Sequence, residues 1–481
     1  MVKVSSRSAR IAAVLLGTTL VTASILAGGP AAAVPAGHGS AGHKPTAVKR
    51  ALLRLDGTGG SPIPVPGHAW ARPVPAWPAA RSGHALALPA GVPSPGIDSA
   101  LLGIFCPSAT NCWAVGTYFN GTAGLDEALH WNGSKWAQVA APSPGGTGNG
   151  DYSVLLGGRC TAPNNCWAVG DYKTAAGAEL DLVLHWNGTR WSKVAAPSPG
   201  GTGTASVSTL VDVACRSSSS CWTAGEYGID GGGIQAIRNN VLHWNGTKWI
   251  QVTVPNPAGT GNGDINQLAS IRCPANNDCW AVGTAGIDSG STYNMLNQAL
   301  HWDGTSWIQA TVPSPGGTAN GDLSTAKTMA CTSYASCWVG GYYGNVLGGV
   351  PILNQLLHWD GTAWTQANVP QPGGTSGVDG DLNEIEGVDC ASASNCWAVG
   401  AYSVTSGGYD LNQALHWDGT TWSQAVTPNP GGTAPDAYSV LIAVHCAGAT
   451  NCWANGDSAA GGGAPYLNQA LRWNGSTWSA G

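Results

Sequence analysis

The chain has 481 residues, with 14 Cys, 23 Trp, 70 Gly and 30 Pro, and only 10% of it is charged. A typical globular chain is roughly 25% charged. Its 20 Lys and Arg stand against 26 Asp and Glu, a formal net charge of −6, which argues against a nucleic-acid partner because no basic stripe is left to neutralise phosphates.

In chain order, residues 1–33 come first. Lys3, Arg7 and Arg10 form a positive start, Ile11 to Leu26 is apolar, and Ala31-Ala32-Ala33 offers a small-residue cleavage site. This predicts a secretory signal peptide rather than a membrane span. Its removal leaves 17 basic against 26 acidic side chains, a net of −9. No later apolar segment has bilayer length. The end at Gly481 carries neither a hydrophobic tail nor a sorting motif. A secreted, extracellular monomer is expected, without membrane insertion. Residues 34–83, rich in Ala, Pro and Gly, read as a linker that need not pack.

From residue 84 to 481 the chain repeats. Seven copies of Cys-x5-Cys-Trp-x-x-Gly are each followed by Leu-[His/Arg]-Trp-[Asn/Asp]-Gly-[Thr/Ser]-x-Trp. The cysteine pairs are Cys106/Cys112, Cys160/Cys166, Cys215/Cys221, Cys273/Cys279, Cys331/Cys337, Cys390/Cys396 and Cys446/Cys452. First cysteines lie 54, 55, 58, 58, 59 and 56 residues apart. In the second copy, Tyr152–Cys160, Cys166–Gly170, Leu182–Trp186 and Trp191–Ala195 are short apolar runs bounded by Gly, Pro and Asn, which are strand signals. Four strands per copy is the content of a propeller blade. The predicted fold is an all-β, seven-bladed β-propeller with four-stranded antiparallel blades, whose cores begin near residues 97, 151, 206, 264, 322, 381 and 436. The last copy stops soon after Trp478, and residues 84–92 are expected to complete its outer strand and close the ring.

Each Cys-x5-Cys predicts a disulfide across the first hairpin. Zinc sites join a second nearby ligand pair, whereas these pairs recur evenly and far apart. Asn132, Asn187, Asn245 and Asn474, with Asp303, Asp360 and Asp418 in other copies, precede glycine and predict type I′ turns rather than glycosylation sites. Trp113, Trp131, Trp136 and their equivalents can fill the wedges between blades or stack on sugars, and packing is the preferred role. His130, His185, His243, His301, His358 and His416 recur with the blades, so packing fits them better than catalysis; Arg472 replaces the seventh and His445 stands apart.

Disulfide hairpins and Asn/Asp-Gly turns would share one face of the propeller. Variable segments would share the other, which is the expected binding face. There, Asp151, Asp264, Asp322 and Asp381 precede first strands, where they can brace turns or bind calcium, the one metal considered. Asn297-Gln298, Asn354-Gln355, Asn412-Gln413 and Asn468-Gln469 can bind sugar hydroxyls or satisfy groups between blades. Glu384 and Glu386 share one side of a strand expected to line the central channel, where two carboxylates could act as acid and base in a glycoside hydrolase or lyase.

Gly170-x-Tyr172 followed by Trp191 resembles kelch repeats, and Asp303-Gly304-Thr305-Ser306-Trp307 resembles a contracted Asp-box. The likeness covers residues 97–481 and implies a propeller of secreted type. The export segment resembles actinobacterial secreted proteins. Kelch-type copper oxidases need an unpaired cysteine, and the fourteen here are all matched. Asp-box sialidases need an arginine triad, whereas Arg159, Arg216 and Arg272 flank the hairpin cysteines on the other side. The expected function is binding of a carbohydrate or cell-surface polymer without catalysis. A polysaccharide-acting enzyme, or an envelope platform for a cell-surface protein, is the alternative.

Overall fold

The computed structural model describes residues 92–204, 206–229, 236–275, 277–288, 293–345, 351–375, 382–404 and 409–481. The expected signal peptide, the linker, residues 84–91 and Asp381 lie outside the described residues.

The described chain is all β-strand, without a helix: twenty-eight strands in seven four-stranded antiparallel units. The first unit holds β1 (Asp98–Ser108), β2 (Asn111–Phe119), β3 (Gly124–Trp131) and β4 (Trp136–Gln138). The later units open with β5 (Tyr152–Ala162), β9 (Val207–Ser217), β13 (Asp264–Ala275), β17 (Asp322–Ser333), β21 (Leu382–Ser392) and β25 (Tyr438–Gly448). Single parallel bridges join some neighbouring units, as at Gly124–Tyr152 and Met295–Leu323. First strands touch each other in succession, β1 with β5 and so on to β25, which touches β1. They are the inner strands.

The repeated motif has a packing reason at each position. The cysteines face each other across the first hairpin, and all seven pairs are bonded as expected, with Cα atoms 3.9–4.0 Å apart. The glycine of Cys-Trp-x-x-Gly is required sterically: a Cβ on Gly116 would land on the carbonyl oxygen of Ala100 in β1. The tryptophan of the same motif is a wedge. Trp113 lies 4.7 Å from Trp186 and 5.1 Å, edge-on, from Trp191 of the next unit. The relay continues unit by unit, and Trp453 of the last unit meets Trp131 and Trp136 of the first at 4.9 and 5.3 Å. Each aromatic pair adds about 0.5–1.5 kcal/mol to its area burial, so the tryptophans join the units rather than face solvent.

A second belt is polar and buried. Asn297 and Gln355 exchange side-chain hydrogen bonds of 2.7 and 3.1 Å across neighbouring units. Asn354–Gln413, Asn412–Gln469 and Asn239–Gln298 repeat the exchange at 2.7–3.0 Å. Asn240 donates to Asp181 at 2.9 Å, and Asn468 of the last unit donates to Glu127 of the first at 2.7 Å. The remaining equivalent pair is Asp126 and Leu182. Asp126 is 4% exposed, and neither carboxyl oxygen has a hydrogen-bond partner among the described residues.

The structure adds to three expectations. The last unit makes its own outer strand, β28 (Trp478–Ala480), as long as β4. The described N-terminal residues Pro93 and Ser94 supply its connector, while residues 84–91, expected to form its outer strand, lie outside the described residues. The Asn468 side chain donates to Pro93 O at 2.7 Å, and its backbone N–H donates to the Ser94 hydroxyl at 3.1 Å. Pro313 and Ser314 play these roles for Asn297 within its own unit.

The Asn/Asp-Gly turns are not type I′, because only the glycine has positive φ, 94° at Gly133. Asn132 instead closes a four-residue loop, accepting at Oδ1 from the N–H groups of Ser134 and Lys135 at 3.0 and 3.1 Å. A short polar side chain bonded to the backbone two and three residues on takes the place of a second left-handed residue.

The disulfides, expected as braces on one face, are also part of the core. The second cysteine of every pair is buried: Cys112, Cys166, Cys221, Cys279, Cys337, Cys396 and Cys452 are all 0% exposed. Each belongs to an apolar cluster shared with the neighbouring unit, as Cys112 does with Trp453, Cys221 with Trp167, and Cys279 with Trp222. Cys396 joins Trp338, and Cys452 joins Trp397, in the same way. The physical reason is the period-2 alternation of the second strand, which sends the cysteine inward against the wedge tryptophan of the unit before it. These sulfurs are wedge filler as well as cross-links. None is a surface site, and none is free to bind a ligand.

Candidate functional site

Glu384 and Glu386 lie on β21, the first strand of the sixth unit. Glu386 forms an ion pair with Lys327 of the preceding unit at 3.4 Å, their side chains 7% and 6% exposed. The Lys327 ammonium also lies 5.6 Å from the Tyr342 ring centre. Burial, with the charges of Glu384 and Glu386, pushes the Tyr342 phenol well above its ordinary range. Gln267 donates to Glu226 at 2.7 Å. Elsewhere on the inner wall, Ala100, Leu102, Val154, Leu156, Val440 and Ile442 form one buried apolar cluster. The inner wall is thus part hydrocarbon and part paired polar groups.

Nearer the hairpin end, His445 has a partner that its sequence position did not reveal. Its Nδ1 is 3.2 Å from Asp389 Oδ2, and its Nε2 is 3.2 Å from Cys106 O. Burial lowers its pKa against the opposing pull of Asp389. Asp389 also accepts from Cys446 N at 2.8 Å. Both imidazole nitrogens have partners, so the dyad links the sixth, seventh and first units. Asp212 Oδ2 similarly gathers Ser270 Oγ, Ile271 N and Arg272 Nη1 at 2.7, 3.1 and 2.5 Å.

The residues expected on the variable face are committed internally. Asn297, Gln298, Asn354, Gln355, Asn412, Gln413, Asn468 and Gln469 are buried in the polar belt, at 8% exposure or less. Asp151, Asp264 and Asp322 brace their own turns, accepting backbone N–H groups at 2.6–2.7 Å from Gly148, Gly261 and Ala319. Among the described residues, no group of three or more His, Cys, Asp or Glu is placed to hold a metal ion. The repeated histidines stack on the wedge tryptophans, 4.5 Å between centres for His130 and Trp113. His130 also meets Asn111 Oδ1 at 2.9 Å, and burial lowers its pKa.

The opposite face offers an open site. Here the third-to-fourth turn of each unit rests on its disulfide hairpin, as Gly188 does against Asn164. Between the second and third units lies an open cavity of about 520 Å³. Asn164, Asn165, His185 and Asn187 line it from one side, Arg216 and Ser218 from the other, and no carboxylate contributes. Asn165 Oδ1 is 2.7 Å from His185 Nε2, which fixes both side chains. Arg216 is exposed and makes no hydrogen bond or ion pair among the described residues. Its equivalents are Pro107, Thr161, Pro274, Thr332, Ala391 and Ala447, so this unit alone carries a charge there.

No family model matches the chain, and no curated protein matches its sequence. Its fold is similar to that of an ulvan lyase from a new polysaccharide lyase family, with a TM-score of 0.51 at 8% identity over 80% of this chain and 96% of that one. Other similar structures are the β-propeller domain of the trilobed protease of Pyrococcus furiosus and the Aleuria aurantia lectin in complex with α-methyl-L-fucoside. The first has a TM-score of 0.43 at 8% identity, covering 80% of this chain and 97% of its own. The second has a TM-score of 0.37 at 11% identity, covering 70% and 95%. The seven four-stranded antiparallel units and the likeness to the ulvan lyase give the chain a β-propeller fold, braced by seven disulfides. No helix among the described residues is long and apolar enough to cross a membrane.

Proposed function

We propose that this is a secreted, monomeric, closed seven-bladed propeller that binds carbohydrate and performs no chemistry on it. The observation that carries the reading is the open polar cavity between the second and third units. Amide, hydroxyl, imidazole and guanidinium groups converge there, the donor and acceptor types that sugar hydroxyls engage. The circular succession of inner strands, the tryptophan relay and the polar belt support a ring of seven blades. The disulfides support an oxidising compartment, and hence export.

An enzyme acting through Glu384 and Glu386 is less well supported. Glu386 is held by Lys327, and much of the inner wall is hydrocarbon. A glycan array probed with the exported chain tests the reading. Binding that is weakened in Arg216→Ala, with no release of reducing ends or unsaturated products, is expected. Turnover that disappears in Glu384→Gln would replace it with the enzyme.

A further inference from the structure

The turn face is electrically split, and the split follows the units. The residue before the outer-strand tryptophan is Lys135, Arg190 and Lys248 in the first three units, but Ser306, Ala363, Thr421 and Thr477 in the others. The residue that opens the same turn is Asn in the first three units and Asp303, Asp360 and Asp418 in the next three. Those three aspartates accept from the following threonine hydroxyl and two backbone N–H groups, and these bonds hold each carboxyl down at about 2. They stay ionised across any ordinary pH. On this face the fourth to sixth units therefore carry fixed negative charge, and the first three carry positive charge without an ion-pair partner among the described residues.

The cavity lies in the positive half. Arg190 and the cavity-lining Asn187 belong to one turn, since Asn187 Oδ1 accepts from Arg190 N at 3.0 Å. Gly246, two residues before Lys248, packs on Ser219, the neighbour of the cavity-lining Ser218. Arg190 and Lys248 thus belong to turns that adjoin opposite walls of the cavity, and Arg216 lines it. Lys135, Arg190, Arg216 and Lys248 are exposed, and none forms an ion pair among the described residues. A cation with no protein partner, beside groups that suit hydroxyls and with no carboxylate in the lining, is free to meet an anion on a hydroxyl-rich ligand.

We infer that the cavity and its basic flanks bind an acidic polysaccharide, one bearing a carboxylate or sulfate on its sugar units; this rests on the carbohydrate reading above. Asn164, Asn187 and Ser218 take hydroxyls. Arg216 takes the acid group, bidentate for a carboxylate. Arg190 and Lys248 meet acid groups on neighbouring sugars. The aspartates of the fourth to sixth units repel the same polymer and confine it to the first three. The net charge, −6 over the 481 residues and −9 without the export segment, works against non-specific uptake of polyanions.

Calorimetric titration of the full exported chain tests this with polygalacturonate, dextran sulfate, neutral dextran and a single-stranded oligonucleotide. The expected result is binding of an acidic polysaccharide in preference to dextran and oligonucleotide, weakened as salt rises from about 50 to about 500 mM. Arg216→Gln with Lys248→Gln should weaken it about five- to tenfold, as expected for two exposed charge contacts. Asp360→Asn should leave it unchanged or stronger, and all variants should melt with the wild type. Dextran bound better than the acidic polymers would overturn this inference and leave carbohydrate binding standing. Silence on every glycan would remove both. Acidic binding indifferent to Arg216 and Lys248 would place the site elsewhere and overturn the inference, as would an oligonucleotide bound equally well.

Discussion

The gap in the polar belt at Asp126 can be repaired. Asp126 of the first unit stands where most other units place an asparagine, and Leu182 of the second stands where most place a glutamine. Both are buried, at 4% and 0% exposure. Asp126→Asn with Leu182→Gln would install the exchange seen at Asn239–Gln298, whose two bonds are 2.9 and 3.0 Å. The new glutamine would also find backbone acceptors, because Gln298 bonds to the carbonyls of Gln267 and Thr284 at 2.9 and 2.8 Å. An unsatisfied buried polar group costs about 1–3 kcal/mol and each bond formed returns about 1 kcal/mol. The double variant should therefore be more stable than the wild type by about 2 kcal/mol at neutral pH.

The gain should depend on pH. Burial holds the Asp126 carboxyl well above its ordinary range. With a raised folded pKa, its contribution is complete below the unfolded value of about 4 and is lost as pH rises from there through the folded value. The variant's advantage should accordingly grow from about pH 4 to about pH 8. Guanidinium denaturation with disulfides intact, at both pH values, measures this. A double variant no more stable than wild type, or an advantage independent of pH, would refute the argument.

Other outcomes follow from the same structure. Burial raises Glu179 to about 7 and Asp457 to about 8, so wild-type stability should fall as pH rises from about 4 through 8, and Asp457→Asn should flatten that fall in a pH series of melting curves. Lys327→Met should destabilise by about 3–5 kcal/mol, because it leaves Glu386 buried without its counter-charge, and adding Glu386→Leu should recover most of the loss in denaturation titrations. Asn354→Ala removes bonds to Gln413 and to Pro370 O, both 2.7–2.8 Å, and should cost about 2–3 kcal/mol in the same assay. Replacing Cys331 and Cys337 by alanine should cost about 2 kcal/mol in the chain-entropy picture, and thiol labelling of the unreduced wild type should find no free thiol.

The fold is legible in the sequence because its rules are local and repeated. Cys-x5-Cys fixes a hairpin, Gly116 and its equivalents fix the crossing of inner and second strands, and the tryptophans recur at the wedges. The spacing shows that the cysteines pair but not how deep they lie. That Cys112 and Cys452 sit at 0% exposure depends on the tryptophan of a neighbouring unit. The outer strand of the last unit is harder to read, since three residues after a turn carry too little pattern to separate a strand from a tail. The turn type is hidden because asparagine can serve either by positive φ or by its side chain, and only geometry decides. The belt is half legible: Asn-Gln in the last four units marks the positions, and Asp126-Glu127, Asp181-Leu182 and Asn239-Asn240 depart from it at the same register. The pairing of His445 with Asp389, and the cavity at Arg216, depend on residues that meet only when neighbouring units pack. No spacing in one copy encodes them.

Non-catalytic carbohydrate binding is proposed at the cavity between the second and third units. Titration of a bound glycan into wild-type and Arg216→Ala protein, with product analysis of the same mixtures, tests it most directly. Binding in the wild type, weaker binding in the variant and an intact glycan in both are expected. Equal binding by the two proteins, or a cleaved glycan, would contradict it.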